Sequence, residues 1–127
     1  MELSKAAGAK RALPLAVSIA AHSSLMNSIQ SEWDAAVQAA ALTDASAPVF
    51  GNVAARALAS ASDLRADITA QMQSRVRWTA SVQGMIGNGI RHFVEVGSGT
   101  VLIGLVKRID ASVTSQALGN PSDFEAL

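Results

Sequence analysis

The chain has 127 residues, half of them hydrophobic, only 4% aromatic and 16% charged, with no cysteine. That balance is too apolar for a disordered polypeptide, and it leaves neither a disulfide framework nor a cysteine-ligated zinc site. Ten basic side chains offset ten acidic ones, which argues against nucleic-acid binding, where phosphates demand a Lys/Arg excess; the length fits a single domain at most.

Lys5, Lys10 and Arg11 precede an apolar run from Ala12 to Ala21. Two readings fit it. One is a secretory signal peptide closing on Ser18-Ile19-Ala20; the other is a buried strand within residues 11–19, which Pro14 suits better than it suits a helix. The run is far short of the roughly 20 apolar residues that cross a bilayer.

From Ser24 to Leu42, Leu25, Ile29, Trp33, Val37 and Ala41 recur every fourth position, one face of a helix with Ser23 or Ser24 as its cap. Residues 47–53 read as a short strand ending at a Gly-Asn turn. A second helix is expected over residues 61–73, capped by Ser60 or Ser62, with Asp63, Arg65 and Asp67 on a solvated face and Gln71 and Gln73 as ordinary polar-face residues. A third runs from Thr79 to Ile86 and stops at Gly87-Asn88-Gly89. Ile90 to Val96 is the clearest strand. After Gly97-Ser98-Gly99, a helix carries Val101, Leu102, Leu105, Val106 and Ile109 and ends on Lys107-Arg108, cations suited to a helix C-terminus. Val113 to Leu118 is a possible last strand, before a short polar tail. The order β-α-β-α-α-β-α-(β) indicates an α/β layered fold with mostly parallel strands and helices on both faces, too few strands to leave no edge unpaired.

The chemistry legible in the residues alone is sparse. Gly97-Ser98-Gly99 lacks the third glycine of a dinucleotide fingerprint, because Leu102 stands there. It reads as a tight turn in which backbone approaches backbone, with anion binding at the helix N-terminus as the alternative. There is no G-x-S-x-G elbow and no H-E-x-x-H. Trp33 and Trp78 read as packing residues and His92 as a strand residue. His22 follows a buried-type strand, where catalytic groups gather in open α/β sheets, and an imidazole there can carry a proton near neutral pH. A helix-entry histidine without chemistry fits the same position.

Four strings, taken together and in order, resemble one family. Gly8-Ala9-Lys10-Arg11-Ala12-Leu13-Pro14-Leu15-Ala16-Val17-Ser18 followed by Ala21-His22-Ser23-Ser24-Leu25-Met26 is similar to the region around the catalytic histidine of malonyl-CoA:acyl-carrier-protein transacylases. Pro48-Val49-Phe50-Gly51-Asn52-Val53 resembles that family's next strand. Gln71-Met72-Gln73-Ser74-Arg75-Val76-Arg77-Trp78-Thr79-Ala80-Ser81-Val82 resembles its Q-L-x-x-P-V-x-W-T-x-S-V segment, and the stretch from Phe93 to Ile109 its E-V-G-P-G-x-V-L-x-G-L-x-K-R-I block.

The resemblance implies that His22 is the catalytic proton carrier, oriented by a main-chain carbonyl supplied by Gln71, and it displaces the signal-peptide reading. It implies a partial α/β-hydrolase-like layered sheet, with residues 1–20 ending a ferredoxin-like small subdomain and residues 21–127 returning to the core. It implies a cytoplasmic enzyme, without cofactor or metal, that moves malonyl from malonyl-CoA to acyl carrier protein in fatty acid biosynthesis, touching neither nucleic acid nor membrane. Family members are more than twice as long. Their G-H-S-x-G serine and malonyl-clamping arginine lie upstream of anything present here, so Met1 matches an internal position. The chain is therefore expected to be a C-terminal fragment, inactive alone, exposing apolar surface that the missing N-terminal half covers. The alternatives are a non-catalytic interaction or scaffold domain derived from the same fold, or part of a polyketide synthase acyltransferase domain. Arg75 in place of proline, Ser98 in place of the proline of G-P-G, and Gly51 at a commonly polar position depart from the family pattern.

Overall fold

A computed structural model describes residues 1–14 and 16–125. Short helix α1 (Glu2–Ala6) opens the chain. Residues 11–14 and 16–20 then form neither helix nor strand, so the strand expected over 11–19 is absent; Leu15 lies outside the described residues. A strand exists only where a neighbour completes its hydrogen bonds, and none does so here among the described residues. Leu13, Val17 and Ile19 are 64%, 71% and 67% exposed.

The helix expected from Ser24 to Leu42 is two pieces. Ser23 is extended and its Oγ accepts from the Leu25 amide, starting a tighter 3-10 segment, Ser24–Ile29, before α2 (Gln30–Ala39). With three residues per turn in the first piece, the i, i+4 series does not keep one face. Leu25 is exposed and Val37 is the residue of α2 that is buried. Arg65 ends α2 by donating to the carbonyls of Val37 and Ala40, acceptors that a helix terminus leaves unpaired.

Strand β1 is only Val49–Phe50. It pairs antiparallel with an unexpected β2 (Ala57–Leu58), making a small hairpin around residues 51–56. Helix α3 (Ala61–Gln71) starts at Ser60, whose Oγ accepts from the Asp63 amide at 3.1 Å. It packs against α2, where Trp33 Nε1 donates to Ile68 O at 2.9 Å and Gln30 Nε2 to Thr69 O at 3.1 Å.

Helix α4 (Trp78–Gly87) leads into a β-α-β unit: β3 (His92–Val96), α5 (Val101–Ile109) and β4 (Thr114–Leu118). β3 and β4 are parallel, in register from His92 opposite Thr114 to Val96 opposite Leu118. A last short helix, α6 (Pro121–Phe124), follows where a polar tail was expected. One core cluster is Val82, Val106 and Val113, ringed by Trp78, Ile86, Phe93 and Ile109, so it joins α4, α5 and β3; Val37, Leu58 and Leu118 are buried as well.

The class is α/β, but the layering is thinner than expected. Among the described residues the strands make one antiparallel and one parallel pair rather than a mostly parallel sheet. Among the described residues β3 pairs with β4 alone, and Val94 and Val96 stand exposed on it.

Candidate active site

His22 sits in a turn clasped at both ends. Ser23 Oγ donates to Ala20 O at 2.7 Å, and the His22 amide donates to Met72 O at 3.0 Å. The backbone of His22 is left-handed, φ +65°. A non-glycine residue is uncommon there, and such a conformation persists only where its surroundings hold it. The half-buried ring places Nδ1 2.8 Å from Gln71 O. A carbonyl can only accept, so Nδ1 carries the proton in this bond and Nε2 of the neutral ring keeps its lone pair. That is the tautomer a proton-accepting imidazole needs. His22 and Gln71 are thus brought together from positions 49 apart.

Gln71 is more than a polar-face residue. It is the last residue of α3, so its carbonyl has no partner inside the helix. Its side chain is held as well, because Asn52 Nδ2 donates to Gln71 Oε1 at 2.6 Å. Asn52 lies in the loop after β1, and that loop is fixed by Asp67. The Asp67 carboxylate accepts from the amides of Asn52 at 2.9 Å, Val53 at 3.2 Å and Ala54 at 2.7 Å. Asp67 and Arg65 therefore do not lie on a solvated face as expected; both serve backbone groups of neighbouring segments. Asp63 alone of the three fits that reading, in an exposed pair with Arg56 at 3.3 Å. Gly51 explains one departure from the family pattern. A Cβ there would stand 2.5 Å from Asp67 Oδ1 and 2.7 Å from Leu58 Cδ1.

The second candidate, the turn after β3, is not open to an anion. The Glu95 carboxylate already accepts from the first-turn amides of α5, Leu102 at 3.2 Å and Ile103 at 2.9 Å. Gly97 and Gly99 are left-handed, φ +121° and +98°, with open space where a Cβ would stand, so conformation rather than close approach requires them. His92 is exposed on β3, its Nδ1 2.7 Å from Oγ1 of its cross-strand neighbour Thr114, far from any role with His22 in sequence or element. Trp33 and Trp78 pack between elements, as expected.

No protein-family model matches the chain. Individual proteins do. Over 124 residues, 98% of this chain, it is 36% identical to the malonyl CoA-acyl carrier protein transacylase of Bacillus subtilis, and over 122 residues 38% identical to that of Escherichia coli. The chain resembles part of a malonyl CoA-acyl carrier protein transacylase. It spans about two fifths of the length of these transacylases, 39% and 40%. The backbone agrees with solved transacylases. An acyl carrier protein S-malonyltransferase from Vibrio cholerae superposes with a TM-score of 0.90 at 34% identity, covering 98% of this chain and 41% of that one. A malonyl-transacylase solved with its type II polyketide acyl-carrier protein gives 0.92 at 34% identity, covering 98% and 40%. The resemblance read from the four strings is thus to the same transacylases that the whole chain matches.

Proposed function

We propose that this chain is the C-terminal part of a malonyl-CoA:acyl-carrier-protein transacylase and supplies its proton carrier, His22. The observation that carries the reading is the 2.8 Å contact between His22 Nδ1 and Gln71 O at a strained backbone position. It fixes a ring whose Nε2 is free to take a proton. The mechanism is a two-step acyl transfer. A serine from the remaining three fifths of the enzyme gives its hydroxyl proton to Nε2 as its oxygen bonds to the malonyl carbonyl carbon. The carbon–sulfur bond to coenzyme A breaks, and the departing thiolate takes that proton from Nε2. The thiol of acyl carrier protein then repeats the sequence in reverse on the seryl ester. The Gln71 carbonyl holds the imidazole in the needed tautomer throughout and does the orienting that a carboxylate does in serine hydrolases.

In this reading residues 1–20 close a small inserted subdomain, residues 21–127 belong to a hydrolase-like core, and the reaction is cytoplasmic. The exposed Val94 and Val96 on β3 support a sheet continued by the rest of the enzyme. The experiment joins this chain, co-expressed, to the serine-bearing remainder of a transacylase and follows malonyl transfer to acyl carrier protein. The chain alone should be inactive and the reconstituted pair active. His22→Ala should lower turnover of the pair by about 10²- to 10⁴-fold. Turnover by the isolated chain would overturn the reading that the serine comes from the remainder of the enzyme, and a reconstituted pair indifferent to His22→Ala would overturn the role of His22 in favour of a scaffold.

A further inference from the structure

We propose that Asn52 is a positioning residue that aims the Gln71 carbonyl at His22, a role that rests on the reading of His22 as proton carrier. A carbonyl at the end of a helix has no acceptor role inside the helix, and here the turn that follows, with the Gln73 amide on Ala70 O at 3.3 Å, leaves the Gln71 carbonyl for His22. Gln71 holds that place in α3. The next peptide is held by the His22 amide, which donates to Met72 O at 3.0 Å, so what remains to be fixed is Gln71 itself. Asn52 fixes it from outside: its Nδ2 grips Gln71 Oε1 at 2.6 Å, and its own backbone cannot yield. Its amide is bonded to Asp67 Oδ2 at 2.9 Å, and its carbonyl accepts from the Arg77 amide at 2.8 Å. Each polar backbone group of Asn52 is therefore occupied, on one side by α3 and on the other by the start of α4. The Gln71 side chain is tied to a loop that Asp67 has already fixed. The order of support runs from Asp67 to the loop, from the loop to Asn52, from Asn52 to Gln71, and from Gln71 to the Nδ1 proton of His22.

The readout is the imidazole itself. In the full chain, nitrogen-15 NMR of the neutral His22 ring reports the ratio of Nδ1–H to Nε2–H tautomers. The wild-type ratio should favour Nδ1–H. Asn52→Ala should lower it about five-fold, the worth of one ordinary hydrogen bond. Gln71→Ala, which keeps the main-chain carbonyl and loses only the gripped amide, should lower it by a similar factor. The double variant should do no more than either single one, because both remove the same link. A purely structural role for Asn52 would reduce stability and leave the ratio alone. An unchanged ratio in a folded Asn52→Ala chain, or additive effects of the two substitutions, overturns the proposal. Should circular dichroism show Asn52→Ala unfolded, Gln71→Ala decides alone, and an unchanged ratio there overturns it equally. The catalytic reading fails separately, on transfer activity that survives His22→Ala.

Discussion

Two loops of this chain are held by the same device to opposite effect. After β1, the Asp67 carboxylate gathers the amides of residues 52–54 from across the fold; after β3, the Glu95 carboxylate gathers the amides of Leu102 and Ile103 at the start of α5. Charge-assisted bonds of this kind are stronger than neutral ones and set geometry as well as energy. The first loop is fixed so that a side chain on it can reach Gln71 and, through it, the His22 ring. The second is fixed by filling the one place where α5 could have received an anion. A carboxylate bonded to a row of amides therefore does not mark a site by itself. What decides is whether the loop it holds presents anything further, and only the first loop does.

The largest effect should come from breaking the first loop. Asp67→Ala removes bonds to three amides at a half-buried position, and urea unfolding should show a loss of about 3 kcal/mol. Gly51→Ala attacks the same point by crowding, because its Cβ meets Asp67 and Leu58; the cost should be about 2 kcal/mol. The two should not add. With Asp67 already truncated, one of the two obstructions to Cβ is gone, so Gly51→Ala should cost less in that background. Full additivity would mean that Asp67 and Gly51 do not share the loop as the structure has them.

Breaking the second loop should matter less. Glu95→Gln keeps the shape and removes the charge facing the first turn of α5, for a loss of about 1 kcal/mol by the same unfolding measurement. Because the site is near solvent, that difference should shrink in high salt. A loss as large as that of Asp67→Ala would erase the contrast between the loops.

The same contrast governs what the sequence could reveal. The β-α-β unit from His92 to Leu118 was legible because each signal is local: a short run with Phe93, Val94 and Val96 apolar, a glycine turn, a helical stripe, and Lys107-Arg108 at the helix end. The support of His22 is not local. Its links join residues 15, 19 and 49 apart, and nothing in the spacing of Asp63 and Asp67, a turn apart on one helix, tells which of them faces a loop. From residue pattern alone His22 stayed an isolated histidine; only the ordered strings around it gave it a role and named Gln71. Residues 11–14 and 16–19 differ from their local pattern for the opposite reason. That pattern was apolar, but a strand also needs a partner, and partners are not encoded in the segment itself.

A third carboxylate tests how far the device extends when no fold stands behind it. Asp110, at the end of α5, accepts from the Ser112 Oγ at 2.6 Å and the Ser112 amide at 2.8 Å. These bonds, the hydroxyl first, hold its carboxyl below the usual aspartate range, with a smaller contribution from the Arg91 charge. A carboxyl whose folded pKa lies below its unfolded value binds its proton more readily in the unfolded chain. Its contribution is therefore complete above the unfolded value, declines as pH falls below it, and is gone once pH has passed through the lowered folded value. Asp110→Asn should flatten this part of the acid-unfolding profile while leaving stability near pH 7 only slightly changed, since the group is open to solvent and the turn spans two residues. A large loss at neutral pH would make the Asp110 turn a third structural anchor on a par with Asp67, and local bonding geometry, rather than reach across the fold, would then be what sets the strength of all three.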